Sequence, residues 1–230
     1  MLRAKKKISK REIKEDKLVT SYFEARQWYD VNRKRVNMIA GIVVAAILLG
    51  WFYLNNVSAN NEKAAVELAG IFSYYDNGNY QVAVNGMPEK NLTGFQSIAD
   101  NYGGTKAGNM AKFYLADSYY NMQQYDKALE YFKECSGPTD FLEASRLAGV
   151  AACYDVKGDA KDAAEYYEKA AAKSPKGPNA ADYYFNAAQN YAKSNNKDEA
   201  LSLFKKIKEE YPSSDVARDI DRYIAEVTAS

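Results

Sequence analysis

Met38 to Leu54 (MIAGIVVAAILLGWFYL) runs for seventeen residues without a charge, and nothing else in the chain is as apolar. Extended to Val36 and Val57 it covers 22 residues. An α-helix of that length reaches roughly 33 Å, enough to cross the hydrocarbon core of a bilayer. The run divides the chain into parts of opposite charge. Residues 1–35 carry 12 Lys/Arg against 5 Asp/Glu, net +7, and residues 36–230 carry 19 against 25, net −6. Arg33-Lys34-Arg35 abuts the apolar run, the arrangement that keeps a short basic flank in the cytoplasm. A buried core helix would rarely be this long or follow such a triplet. A cleaved signal peptide is the stronger alternative, because Val57-Ser58-Ala59 offers small residues at a possible cleavage site. Against it stand the long leading segment and an apolar run beyond the usual 7–15 or so residues. No Cys near the end of the run offers a lipoprotein acceptor. The expectation is one uncleaved transmembrane helix over 36–57, with residues 1–35 cytoplasmic and the remainder exported.

The cytoplasmic segment has two parts. Eight basic residues lie between Arg3 and Lys17, a charge density that attracts anionic lipid by about 1 kcal/mol per charge near the surface. Ribosomal RNA is another polyanion, but no fold or aromatic platform supports it and no nucleic-acid partner is expected. Leu18, Tyr22, Ala25 and Tyr29 then recur at helical spacing, with Phe23 and Trp28 beside them. This amphipathic helix reads either as one lying on the membrane lipid or as a docking face for a membrane partner. Beyond the span, Trp51 and Tyr53 sit where an interfacial aromatic belt is expected. Asn55 to Asn61 (NNVSANN) reads as a polar linker, with 58–61 joining the span to the exported domain.

From Glu62 a pattern repeats. Ala128, Ala163 and Ala200 are each followed four residues later by an aromatic: Phe132, Tyr167 and Phe204. Twelve residues before each stands another alanine (Ala116, Ala151, Ala188), and nine before stands a tyrosine (Tyr119, Tyr154, Tyr191). The spacings are 35 and 37. A less regular unit contains Tyr74 and Ala83, offset by 45. There Phe95 to Tyr102 matches Phe204 to Tyr211, which implies an insertion of about eight residues near 86–94 in that unit's second helix. Val216, Ile220, Tyr223, Ile224 and Val227 share one face of a final segment, Asp215 to Val227, as a closing helix would require.

These positions resemble the tetratricopeptide repeat family, whose two-helix units of about 34 residues put small residues where helices touch and aromatics where they wedge. The resemblance covers about 62–228. It implies an all-α fold: a single N-terminal transmembrane helix, then a helical-hairpin solenoid of about four repeats over 62–230 with a C-terminal capping helix. Each unit leaves an apolar face open, so at least three must stack.

Catalysis finds no support in the residues. The chain has no histidine, which removes the commonest metal ligand and the usual base near neutral pH. Gly103-Gly104-Thr105-Lys106-Ala107-Gly108 has neither the preceding strand nor the Lys-Ser/Thr of a phosphate loop and reads as a helix end and turn. Cys135 and Cys153 lack an activating His and read as buried thiols or, outside the cytoplasm, a disulfide. Asn56-Val57-Ser58 and Asn91-Leu92-Thr93 are glycosylation triplets, meaningful only in a eukaryotic secretory setting. No cofactor and no metal are expected.

What remains is binding. In tetratricopeptide proteins the first helix of each unit lines the groove. Carried over, this implies Phe72, Tyr75 and Asp76 in the first unit and Met110, Phe113, Asp117, Tyr120 and Asn121 in the second. It implies Ala148, Ala152 and Asp155 in the third, and Asp182, Phe185, Gln189 and Lys193 in the fourth. Members that grip the carboxylate tail of heat-shock chaperones use Lys and Asn where this chain has Leu68, Phe113, Ala148 and Phe185, so that ligand is not expected. An aromatic channel with an acidic rim suits extended aliphatic or basic peptide segments. Several of the aromatics have a second reading as packing between helices.

The whole arrangement is similar to the ancillary subunits of the bacterial Sec translocon, membrane-anchored periplasmic repeat proteins. That resemblance implies an inner-membrane location with a periplasmic repeat domain. It also implies the Sec translocon, an anchored prolyl isomerase and unfolded or extended chains as partners. A scaffold for envelope assembly or division machinery, holding a folded partner's tail, is the alternative.

Overall fold

The computed structural model describes residues 10–229. Its first helix, α1 (Lys10–Asp76), contains the apolar run. The run's large side chains, from Met38 through Leu54, are exposed, and the helix is long and apolar enough to cross a membrane by length and composition. The polar stretch Asn55 to Asn61 is helical within α1. The reason is local. Between Gly50 and Gly70 there is no Gly or Pro, and Asn or Ser costs a helix only about 0.5 kcal/mol per residue. The basic residues Arg3 to Lys7 lie outside the described residues.

Two compact units divide the chain, residues 1–56 and 57–230. The second holds the helical hairpins. Its first hairpin uses the end of α1 against α2 (Tyr80–Asn85) and α3 (Phe95–Tyr102). Between α2 and α3, at the stretch where the spacing places extra residues, stands a small antiparallel pair, β1 (Gly86–Met87) and β2 (Leu92–Thr93), joined by a 3-10 turn. Gly86 (φ +76°) and Gly94 close its base so tightly that a Cβ on either would meet the other's backbone. Then come α4 (Lys106–Asn121) with α5 (Tyr125–Glu134), α6 (Asp140–Lys157) with α7 (Ala160–Lys173), and α8 (Ala180–Lys193) with α9 (Lys197–Glu210). The closing segment is a 3-10 turn, Asp215–Asp219, followed by α10 (Ile220–Ala229).

The repeated alanines do what their size allows. Ala116, Ala128, Ala151, Ala163, Ala188 and Ala200 are all fully buried between helices, where a larger side chain would force the pairs apart. Phe132 and Phe204, four residues after two of them, fill the gaps and are almost wholly buried. Burying a side chain of this size stabilises by about 1.5–3 kcal/mol. Gly149 on α6 takes the closest approach, because a Cβ there would stand 2.6 Å from the Phe132 ring.

The turn inside each hairpin is built the same way. Five residues before the repeat alanine the backbone is left-handed, at Gly78 (φ +74°), Gln123 (φ +61°), Gly158 (φ +85°) and Asn195 (φ +64°). The next N–H reaches back to the carbonyl of the repeat tyrosine: Asn79 to Tyr74, Gln124 to Tyr119, Asp159 to Tyr154 and Asn196 to Tyr191, at 2.8–3.0 Å. This double reversal satisfies carbonyls that the ending helix leaves bare. The same four residues then accept from Ala83, Ala128, Ala163 and Ala200 and start the next helix. Gly103 ends α3, and Thr105 caps α4 by accepting from the Gly108 N–H at 3.0 Å, a helix end and turn as the sequence suggests.

Candidate functional site

Among the first helices of the hairpins (the end of α1, then α4, α6 and α8), polar contacts tie the end of α1 to α4 and α6 to α8. Tyr75 donates its hydroxyl to Asp117 Oδ2 at 2.7 Å, and Asn121 Nδ2 donates to the same oxygen at 2.8 Å. Lys193 Nζ pairs with Asp155 Oδ1 at 2.9 Å. Burial pushes the Asp117 carboxyl above the ordinary aspartate range, and the hydrogen bonds from Tyr75 and Asn121 pull it part of the way back. The Tyr75 hydroxyl is raised well above the usual tyrosine range, first by burial and then by its bond to Asp117. Burial likewise raises Tyr120, which feels Cys153, Tyr125 and Asp155. Two of the four acids expected along this face, Asp117 and Asp155, are therefore spoken for. Asp182 is exposed, as is Asp76, so the face is less acidic than the bare sequence implies.

The aromatic residues fall into packed groups. Phe72 and Tyr75 are 5.5 Å apart, and Tyr114 meets both edge-on at 4.9 and 5.1 Å. Phe113 lies half-buried against Phe132 at 5.7 Å, across the α4–α5 pair. Phe185 is half-buried too, 4.8 Å from Tyr223 of the closing helix and 6.0 Å from Phe204. Tyr120 turns its edge to Tyr125 at 5.4 Å. Each ring thus has one side in an inter-helix contact and one at the surface.

Two of the depressions on this unit's surface are lined by expected site residues. Met110 and Phe113 line a shallow one with Asn109, Pro138 and Leu142. It is bordered by the α5–α6 connection, whose Ser136 backbone exchanges hydrogen bonds with the Asn109 side chain. Gln189 and Lys193 line the other, a cavity of about 300 Å³ with Ala192, Phe204, Tyr223 and Glu226. Tyr223 and Glu226 are not among the expected site residues, because the repeat pattern stops before the closing helix that carries them. Among the described residues no group of His, Cys, Asp or Glu is placed to hold a metal ion. Cys135 and Cys153 are free and buried, each thiol pushed up to about 11, chiefly by burial.

The residues expected to face membrane or partner stand on α1 in the other unit. Tyr22, Phe23, Trp28 and Tyr29 are all exposed, with Tyr22 and Phe23 edge to face at 5.7 Å. Leu18 is on the same helix, and its side chain lies outside the described residues.

Two family models of the tetratricopeptide repeat match the chain, one over residues 154–215 and one over residues 110–136. No curated protein matches it in sequence. Among solved structures, the nearly identical TPR-like repeats of a kinesin light chain from Podosopora anserina superpose with a TM-score of 0.53 at 16% identity, over 70% of this chain and 83% of theirs. A single-substitution variant of the same repeats gives the same values. At that identity the likeness is one of fold. The repeat unit is a tetratricopeptide-like helical-hairpin solenoid closed by a C-terminal helix, an architecture that serves protein–protein interaction.

Proposed function

We propose that this protein is a membrane-anchored, non-enzymatic interaction module. In this reading its repeat unit holds extended segments of unfolded or emerging chains beside the Sec translocon. Residues 1–35 lie in the cytoplasm, 36–57 span the inner membrane, and the hairpins stand in the periplasm with an anchored prolyl isomerase as neighbour. The observation that carries the reading is the sharp charge reversal across an exposed apolar helix, +7 before it and −6 after. The face of the first helices supports the rest. Asp117 and Asp155 are already paired, so half-buried rings and the cavity beside Gln189 and Lys193 dominate the face. That favours extended aliphatic segments over strongly basic ones. Tethering near an exit site raises the local concentration of such a surface over its client and compensates for weak individual contacts.

The test exchanges residues 18–57 for an unrelated single-span anchor. Co-purification with the translocon should be lost, while the repeat unit still binds aliphatic peptides weakly. Protease added to spheroplasts should digest the repeat unit and leave a small protected fragment. Full co-purification of the exchanged chain would move recognition into the repeats and favour an envelope scaffold. Complete protection of the repeat unit would overturn the orientation.

A further inference from the structure

Tyr22, Phe23, Trp28 and Val31 are each more than half exposed within ten residues of one helix; at about 3.6 residues per turn Phe23, Trp28 and Val31 fall on one side of it, a cluster of large apolar groups that marks a binding surface. Three covers are conceivable: the lipid surface, a second copy of the chain, and another protein. Geometry decides against lipid. Within residues 10–56 the helix is unbroken, so each residue advances the chain by about 1.5 Å along one axis. Trp28, eight residues before Val36, stands about 12 Å outside the span, and Tyr22 about 21 Å. The polar layer on each side of a bilayer core is only about 5–8 Å deep. For this segment to lie flat the helix would have to break between Val31 and Val36, where there is neither Gly nor Pro. Side-chain bonds brace the junction instead: Asn32 donates to the Trp28 carbonyl at 2.9 Å, and Tyr29 to Asn37 at 3.1 Å.

Charge decides between the other two. Residues 17–35 carry Lys17, Arg26, Arg33, Lys34 and Arg35 against Glu24 and Asp30, and the whole leading segment is net +7. Two copies side by side would set these charges against each other. We infer that residues 17–35 dock an acidic helical surface with an apolar seam, on a protein at the same side of the membrane. Aromatic rings supply the anchors, and the basic residues supply steering and register. The inference rests on the anchored reading above and names what that anchor's flank is for.

The test uses the full chain in vesicles and its only two tryptophans, Trp28 and Trp51. Trp51→Phe leaves Trp28 as reporter, and Trp28→Phe leaves Trp51. In vesicles of phosphatidylcholine, with or without phosphatidylglycerol, lipids brominated on their acyl chains should quench Trp51 and spare Trp28. A synthetic helix with a leucine seam and glutamates elsewhere should then shift the Trp28 emission to the blue. Its lysine counterpart should not. Salt should weaken the binding, and a Phe23→Ser, Val31→Ser double variant should weaken it about tenfold or more. Quenching of Trp28 in anionic vesicles would overturn the inference in favour of lipid. A shift that grows with protein concentration alone would overturn it in favour of a second copy. Equal or absent binding of the two peptides would overturn it outright. An unquenched Trp51 overturns the anchored reading, and the peptide comparison then decides the docking claim by itself.

Discussion

Replacing Tyr75 with Phe isolates the link between α1 and α4. The ring stays, still 5.5 Å from Phe72 and 5.1 Å from Tyr114, and only the hydroxyl that donates to Asp117 at 2.7 Å is lost. Asn121 remains, so the half-buried carboxylate keeps one donor of two. A hydrogen bond to a charged group contributes about 1.5–3 kcal/mol, and the expected loss at neutral pH lies in that range. The pH dependence carries more information than the size. Asp117 already has its folded pKa raised by burial, so it stabilises the fold when protonated and loses that contribution as pH rises through the folded value. Removing the Tyr75 donor raises the folded value further. The gap between wild type and Tyr75→Phe should therefore be widest at pH 7 and close as pH falls through the titration of Asp117. Urea denaturation followed by the near-ultraviolet tyrosine signal, at neutral and acid pH, measures both. Equal stability at pH 7, or a gap that does not change with pH, refutes the reasoning.

Four further outcomes rest on the turns, the packing and one ion pair. Gln123→Gly should stabilise by about 0.5–1 kcal/mol, because the left-handed turn costs a side-chain-bearing residue about 1–2 kcal/mol; Gly158→Ala should cost about 1–2 kcal/mol at the equivalent turn, both read by urea midpoint. Gly149→Ala places a methyl against the Phe132 ring and should cost about 1–3 kcal/mol in the same assay. The Glu143 carboxyl is held below its ordinary range, first by hydrogen bonds from Arg146. Its contribution is present above the ordinary glutamate pKa and fades as pH falls through the lowered one, so Glu143→Gln should weaken the protein at pH 7 and flatten its acid unfolding limb.

The solenoid is legible in the sequence because its alanines and aromatics answer to packing between neighbours at a fixed period, and Ala116, Ala128 and Phe132 are buried where that period puts them. The turns are not. Their common feature is a backbone conformation, and only Gly78 and Gly158 announce it, while Gln123 and Asn195 adopt it under the pull of the Tyr119 and Tyr191 carbonyls. Asn55 to Asn61 stays helical because polarity alone does not break a helix, which stops only where its ladder is blocked or capped. On the candidate face the residue types are readable but not their pairing. Tyr75 and Asp117 are 42 residues apart, and Asp155 and Lys193 are 38. Both separations are close to one repeat, and that is the signal through which a sequence can find such contacts.

The two cysteines give the repeat unit its own clock. Cys135 closes the end of α5 and Cys153 sits within α6, and the raised thiol pKa keeps both as the unreactive thiol at neutral pH while the fold is shut. An alkylating reagent can reach them only during openings that expose and ionise them, so the labelling rate of each measures how often its own neighbourhood comes apart. If the α5–α6 contact opens as one piece, the two sulfurs are modified together. If the stack frays hairpin by hairpin, each keeps its own time.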